Sequence, residues 1–218
     1  MILFLFSFIV AFWFNRSLVN FPHYIHRQTY DDYTYLVKPE INFQQFCELS
    51  RLKPKITHYG YLLYFLCPLV SLLFEQPIVV VVLWILCFLS ILDSYYLLTD
   101  IRYVGLIFVL SLIYLLIERV EFYDYLFNLL AIIIFFIAFY FVSSIVCKKE
   151  MIGNGDLFLL FSLCLFFKLE QMLILIFMAC LFGILFYFIY LWLKKEKINK
   201  LPFIPFISLS SFIMFFVI

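Results

Sequence analysis

Charge is what this 218-residue chain has least of. Only 13% of its residues are Asp, Glu, Lys or Arg, and they nearly cancel to a net +1. That excludes a strongly basic nucleic-acid binder, which needs many cations against phosphate. Paired cysteines are missing too. Six Cys are present but none stands in a CxxC pair, so there is no zinc ribbon or thioredoxin-like site. Most lie in apolar runs, where a free Cys acts as a small hydrophobe. The three His have no matching nucleophile or ligand cluster, and no metal is expected. Glycine is scarce at five, so its positions carry information. The first apolar run, residues 1–14, lacks a basic lead-in and a small-residue cleavage site. It reads as a retained first span rather than a cleaved signal peptide.

What fills the chain is apolar side chain. Hydrophobic residues make up 67% of it, with 31 Phe alone, and the mean hydropathy is +1.11. Soluble domains are about half apolar, and a fold of this length could not hide the excess from water. A bilayer accepts it. The expected fold is therefore all-α, a polytopic transmembrane helical bundle of about eight spans. The candidates are 1–14, 59–74, 77–97, 103–117, 125–146, 157–167, 171–193 and 201–218. Those at 1–14, 103–117 and 157–167 are short for a bilayer about 30 Å thick.

The loops between these spans alternate in charge. Of the 15 Lys and Arg, only Arg119 and Lys168 fall in one set, and the rest fall in the other. The positive-inside rule places the basic set in the cytoplasm. The chain then divides into 1–58, a first span plus a cytoplasmic loop, and 59–218, the transmembrane core. The loop from Asn15 to His58 is too short for much of a core of its own and is expected to lie against the membrane.

Ionisable groups at membrane depth are costly and usually functional. Asp93 lies at the end of the third span. Asp156 follows Gly153-Asn154-Gly155 and opens the sixth. A topology drawn from Lys and Arg alone brings both carboxyls to the cytoplasmic boundary. Glycine permits close approach, so Gly153 and Gly155 could hold Asp156 in a tight turn. Paired carboxyls share a proton; one activates a water while the other polarises a carbonyl. Each residue also has a plainer reading. Asp93 could be an interfacial helix-end charge, and Asp156 a helix N-cap. Asp100 reads as a solvated turn residue beside Arg102. It is also the reserve acid, because seven positions is about two helical turns from Asp93 if the helix continues.

These residues resemble the type IV prepilin peptidases, members of the GxGD class of membrane aspartic peptidases. Three segments carry the resemblance: Asp93-Ser94-Tyr95-Tyr96-Leu97-Leu98, then Lys149 through Gly153-Asn154-Gly155-Asp156, then Lys200-Leu201-Pro202-Phe203-Ile204-Pro205-Phe206. It implies that Asp93 and Asp156 are the catalytic pair, with Gly153 and Gly155 supporting their loop. It gives Lys149, Pro202 and Pro205 a substrate-site or structural role. It further implies a prepilin or competence or secretion pseudopilin as substrate, cleaved after a glycine where a cytoplasmic leader meets an apolar stem. The site would lie near the cytoplasmic face of the cell membrane, with lipid as surroundings. Proteolysis would need no cofactor; S-adenosylmethionine would enter only if the methyl transfer of some members is retained.

The sequence departs from that pattern. Asp100 stands where the family usually has proline, and Phe158 where lysine is common. The first loop has Cys47 in place of two CxxC pairs. Other readings therefore stand beside the peptidase: an inactive relative, another GxGD intramembrane protease, or a transport or assembly subunit. Transporters usually place their charges near the midplane at broken helices, unlike Asp93 and Asp156.

Overall fold

The structure, a computed structural model, describes residues 1–36, 41–50, 52–53, 58–118, 127, 129–135, 137–138, 153–195 and 200–217. Among these residues there is no strand. The chain forms two compact units, Met1–Leu73 and Phe74–Ile218.

The first unit is built on α1 (Ile2–Leu36). At 35 residues it rises about 50 Å, far beyond the 1–14 run expected as the first span. Its buried residues explain the length. Ser7, Ala11, Phe14, Leu18, Pro22 and His26, with Phe21 beside Pro22, recur three or four apart, which is one face of a continuous helix. That face continues past Phe14 while the remaining positions turn polar. Helix α3 (Leu63–Leu73), entered through a 3-10 turn at His58–Leu62, packs on α1 and buries Leu63, Cys67 and Val70. This packing carries the first compact unit to Leu73.

The segment expected to be a loop against the membrane instead begins as the second half of α1 and returns as α2 (Phe43–Leu49). Rings join the two helices. Phe43 meets His23 and Tyr30 at centroid distances of 5.6 and 5.4 Å. Phe46 meets Tyr30 at 5.5 Å, and His26 and Tyr33 at 6.4 Å. The Tyr30 hydroxyl donates to the Ile41 carbonyl (3.0 Å). Buried His26 bonds Ser50 Oγ through Nε2 at 2.8 Å. The segment is thus held by a cluster of half-buried rings around buried His26.

The second unit is centred on α4 (Pro77–Tyr96). Pro77 opens it, where a missing N–H costs nothing. Its 20 residues span about 30 Å. It is buried nearly all round, with Trp84, Phe88 and Leu92 among its enclosed side chains. Helix α5 (Ile101–Glu118) packs on α4, and α6 (Asn154–Leu163) packs on α5. On the other flank α8 (Ile204–Val217) packs on α4, and α7 (Leu169–Lys194) packs on α8.

Small hydroxyls sit where helices approach. Ser90 and Ser208 bond one another at 2.7 Å across α4 and α8. Ser162 of α6 donates to the Val104 carbonyl of α5 (3.1 Å). In lipid, close packing and such bonds hold helices together, because apolar burial gives them little preference for each other. Phe88 and Tyr103 (4.7 Å) and Phe167 and Phe215 (4.7 Å) fill the remaining seams.

Among the described residues, three helices are long and apolar enough to cross a membrane: α1, α4 and α7. Helices α3, α5, α6 and α8 are shorter apolar helices. Helix α6 has ten residues, about 15 Å, or half a hydrocarbon core. The expected span 157–167 therefore divides into this short helix and a buried turn, Cys164–Phe167. Of the expected span 125–146, residues 129–135 are helical and most of the remainder lies outside the described residues.

Candidate active site

Asp93 occupies the last turn of α4 and is 6% exposed. Its Oδ2 accepts the backbone N–H of Ile204 (3.1 Å), and the carboxylate also accepts the N–H of Phe203. These donors open α8. The first turn of any helix has N–H groups without intrahelical partners, and each is answered here. Those of Phe203 and Ile204 go to Asp93, and Pro205 has none. Those of Phe206 and Ile207 reach the Phe203 carbonyl at 3.1 and 3.2 Å. Pro202 and Pro205 thus bracket a turn whose two leading N–H groups converge on one buried carboxylate. A helix N-terminus is a favourable place for negative charge.

The chain reverses directly after Asp93. Leu97 adopts the left-handed conformation (φ 52°), and its N–H closes α4 on the Asp93 carbonyl (2.8 Å). A leucine there is uncommon, because its Cβ crowds the following carbonyl. The helix therefore does not continue to Asp100. Asp100 is 6% exposed rather than solvated. Its Oδ1 accepts the Arg102 N–H (3.1 Å) and Nε–H (3.0 Å), and its Oδ2 accepts Nη2–H (2.7 Å). It caps α5 and pairs with the exposed Arg102, so both lone-pair faces of the reserve acid are already engaged.

Asp156 stands in the first turn of α6, half-buried. Gly153 and Asp156 bond reciprocally. The Asp156 N–H donates to the Gly153 carbonyl (3.0 Å), and the Asp156 carboxylate accepts the Gly153 N–H. This is the reach-back half of a capping box, so the plainer reading of Asp156 as a helix-start residue describes part of its geometry. A Cβ on Gly153 would come within 3.2 Å of Asp156 Oδ2. Gly155 is more tightly constrained. A Cβ there would overlap Thr99 Oγ1 and lie 2.7 Å from Thr99 Cβ.

The three motif segments therefore meet. Gly155 touches the turn after Asp93, which brings the start of α6 and its Asp156 beside the end of α4, and Asp93 holds the start of α8. Lys149 lies outside the described residues. Sequence reasoning passed over Thr99, Leu97 and the backbone of Phe203 and Ile204. The Thr-Asp pair just before an apolar run is a helix-start signal and marks the Asp100 cap. Nothing local marks Leu97, since glycine or asparagine is the usual left-handed residue.

No curated protein and no solved structure matches the chain. Its apolar helices make it a membrane protein. A model of the type IV leader peptidase family matches residues 80–188, half the chain, from within α4 past Asp93, Gly153, Gly155 and Asp156 into α7, and the chain belongs to that family.

Proposed function

We propose that this protein is a membrane aspartic endopeptidase that removes the cytoplasmic leader of a type IV prepilin or pseudopilin. The observation that carries this reading is that the turn after Asp93 packs through Thr99 against Gly155, the residue before Asp156, within the segment matched to a leader peptidase family. Two carboxyls brought together on a bound substrate hold one proton between them. One takes a proton from water as the water attacks the scissile carbonyl. The other donates to the carbonyl oxygen, and the collapse of the tetrahedral intermediate sends a proton to the leaving amine. Hydrolysis by this route uses no cofactor and forms no acyl-enzyme.

The basic residues near these helix ends, Arg102 and Lys200 among them, support a cytoplasmic position for the site. A prepilin presents its cleavage point at that depth, where a polar leader joins an apolar stem.

The test is co-expression with a pilin-like precursor, scored by gel shift and N-terminal sequencing. Wild type and Asp100→Asn cut after a glycine, while Asp93→Asn and Asp156→Asn leave full-length precursor. A folded wild type that leaves the precursor intact beside an active control peptidase overturns the proposal.

A further inference from the structure

Thr99 stands closer to the place of a Cβ on Gly155 than any neighbour does at Gly105, Gly153 or Gly183. It joins the two turns that carry the two aspartates. Thr99 lies in the connector between Leu97 and α5. Its left neighbour segment is closed by the Leu97 N–H on the Asp93 carbonyl (2.8 Å). Its right neighbour, Asp100, is held by the Arg102 backbone and guanidinium. The connector is pinned on both sides of Thr99, so its backbone and Cβ cannot move away from α6 without breaking one of these ties. On the facing side, Gly155 directly precedes Asp156 in the first turn of α6. Whatever sets the distance of Gly155 from the connector also sets the approach of the Asp156 carboxyl to Asp93.

We infer that Thr99 is a positioning residue for the peptidase reaction: its side chain fills the space a Cβ at residue 155 would take and thereby fixes the reach of Asp156 toward Asp93. This rests on the peptidase reading above. The requirement for glycine at 155 comes from Thr99 and not from backbone conformation, since no glycine among the described residues has a positive φ. A clash that comes from a side chain can be relieved by removing that side chain. Gly155→Ala drives Thr99 and α6 apart, and Thr99→Gly restores the room. Thr99→Ser keeps both Cβ and Oγ and leaves the packing as it is.

Five purified proteins test this: wild type, Gly155→Ala, Thr99→Gly, Thr99→Ser and the double variant Thr99→Gly/Gly155→Ala. Each is read by melting temperature in detergent, which needs no substrate, and by kcat and KM for leader removal. Gly155→Ala is expected to melt lower and to lose about tenfold to a hundredfold in kcat, the scale of a misplaced reacting group, with KM within about twofold. The double variant is expected to recover most of both, and Thr99→Ser to match wild type. Equal kcat in Gly155→Ala and wild type overturns the inference. So does a double variant that regains its melting temperature but not its kcat, or a loss confined to KM. A wild type that cuts no precursor overturns the peptidase reading, and with it this inference, whereas failures confined to the variants overturn the inference alone.

Discussion

The carboxylate of Asp93 accepts the backbone N–H of Ile204 at 3.1 Å, across 111 positions of sequence. One side chain thus ends α4 and anchors the start of α8. The group proposed to act on a peptide is therefore also part of the packing of the bundle.

That double role separates two substitutions at Asp93. Asp93→Asn keeps an oxygen able to accept from Ile204, so the protein is expected to fold and to lose leader cleavage. Asp93→Ala leaves the Phe203 and Ile204 N–H groups buried without partners, at about 1–3 kcal/mol each. It is expected to lose cleavage and also to melt lower than Asp93→Asn. Thermal unfolding in detergent, run beside the cleavage assay, checks both.

Asp100 is expected to behave oppositely. Its carboxylate caps α5 and pairs with Arg102, and losing a cap costs about 0.5–2 kcal/mol. Asp100→Asn retains a capping oxygen and is expected to cut precursor near the wild-type rate. Asp100→Ala is expected to melt lower. Abolished cleavage in a stable Asp100→Asn protein would give Asp100 the acid role.

The Ser90–Ser208 bond lies one turn from Asp93 on α4 and one turn from Ile204 on α8. A large side chain at 208 would wedge these helices apart and draw the Ile204 N–H from Asp93. Ser208→Leu is therefore expected to reduce cleavage strongly. Ser208→Ala removes only two hydrogen bonds, the one from Ser90 and the one Ser208 donates to the Leu86 carbonyl (3.3 Å), worth about 0.6 kcal/mol each between membrane helices, and is expected to remain active. Paired rates for the two variants decide this.

In the first unit, α2 has only seven residues, too few to be stable alone. Phe46 gives it three ring contacts with α1, at about 0.5–1.5 kcal/mol each. Phe46→Ala is expected to release α2. Hydrogen exchange at residues 43–49 should rise well above wild type, while exchange in α4 stays unchanged.

Helices with long apolar runs and marked ends were legible in the sequence. The span expected at 77–97 is α4 at Pro77–Tyr96, and that at 171–193 is α7 at Leu169–Lys194. Hydropathy measures affinity for lipid and not helical continuity. It therefore stopped the first helix at Phe14, while a buried stripe through Leu18, Phe21 and His26 carries α1 to Leu36. The expectation of a solvated Asp100 fails for a related reason. A charge in a short turn is ordinarily exposed, and only the bidentate Arg102 pairing shows why this one is covered.

The amino-acid sequence determined by itself that this is an all-helical membrane chain, because two thirds apolar composition in long runs has no other stable home. It also determined which residues to examine, since carboxyls and glycines are rare enough here for position to matter. Tertiary structure alone decided what each one touches: Asp93 on the backbone of α8, Asp100 on Arg102, and Gly155 against Thr99. Composition and periodicity describe a residue's preference for water or lipid, whereas a hydrogen bond across 111 positions, or a missing Cβ matched to a threonine, exists only once packing has chosen the neighbours.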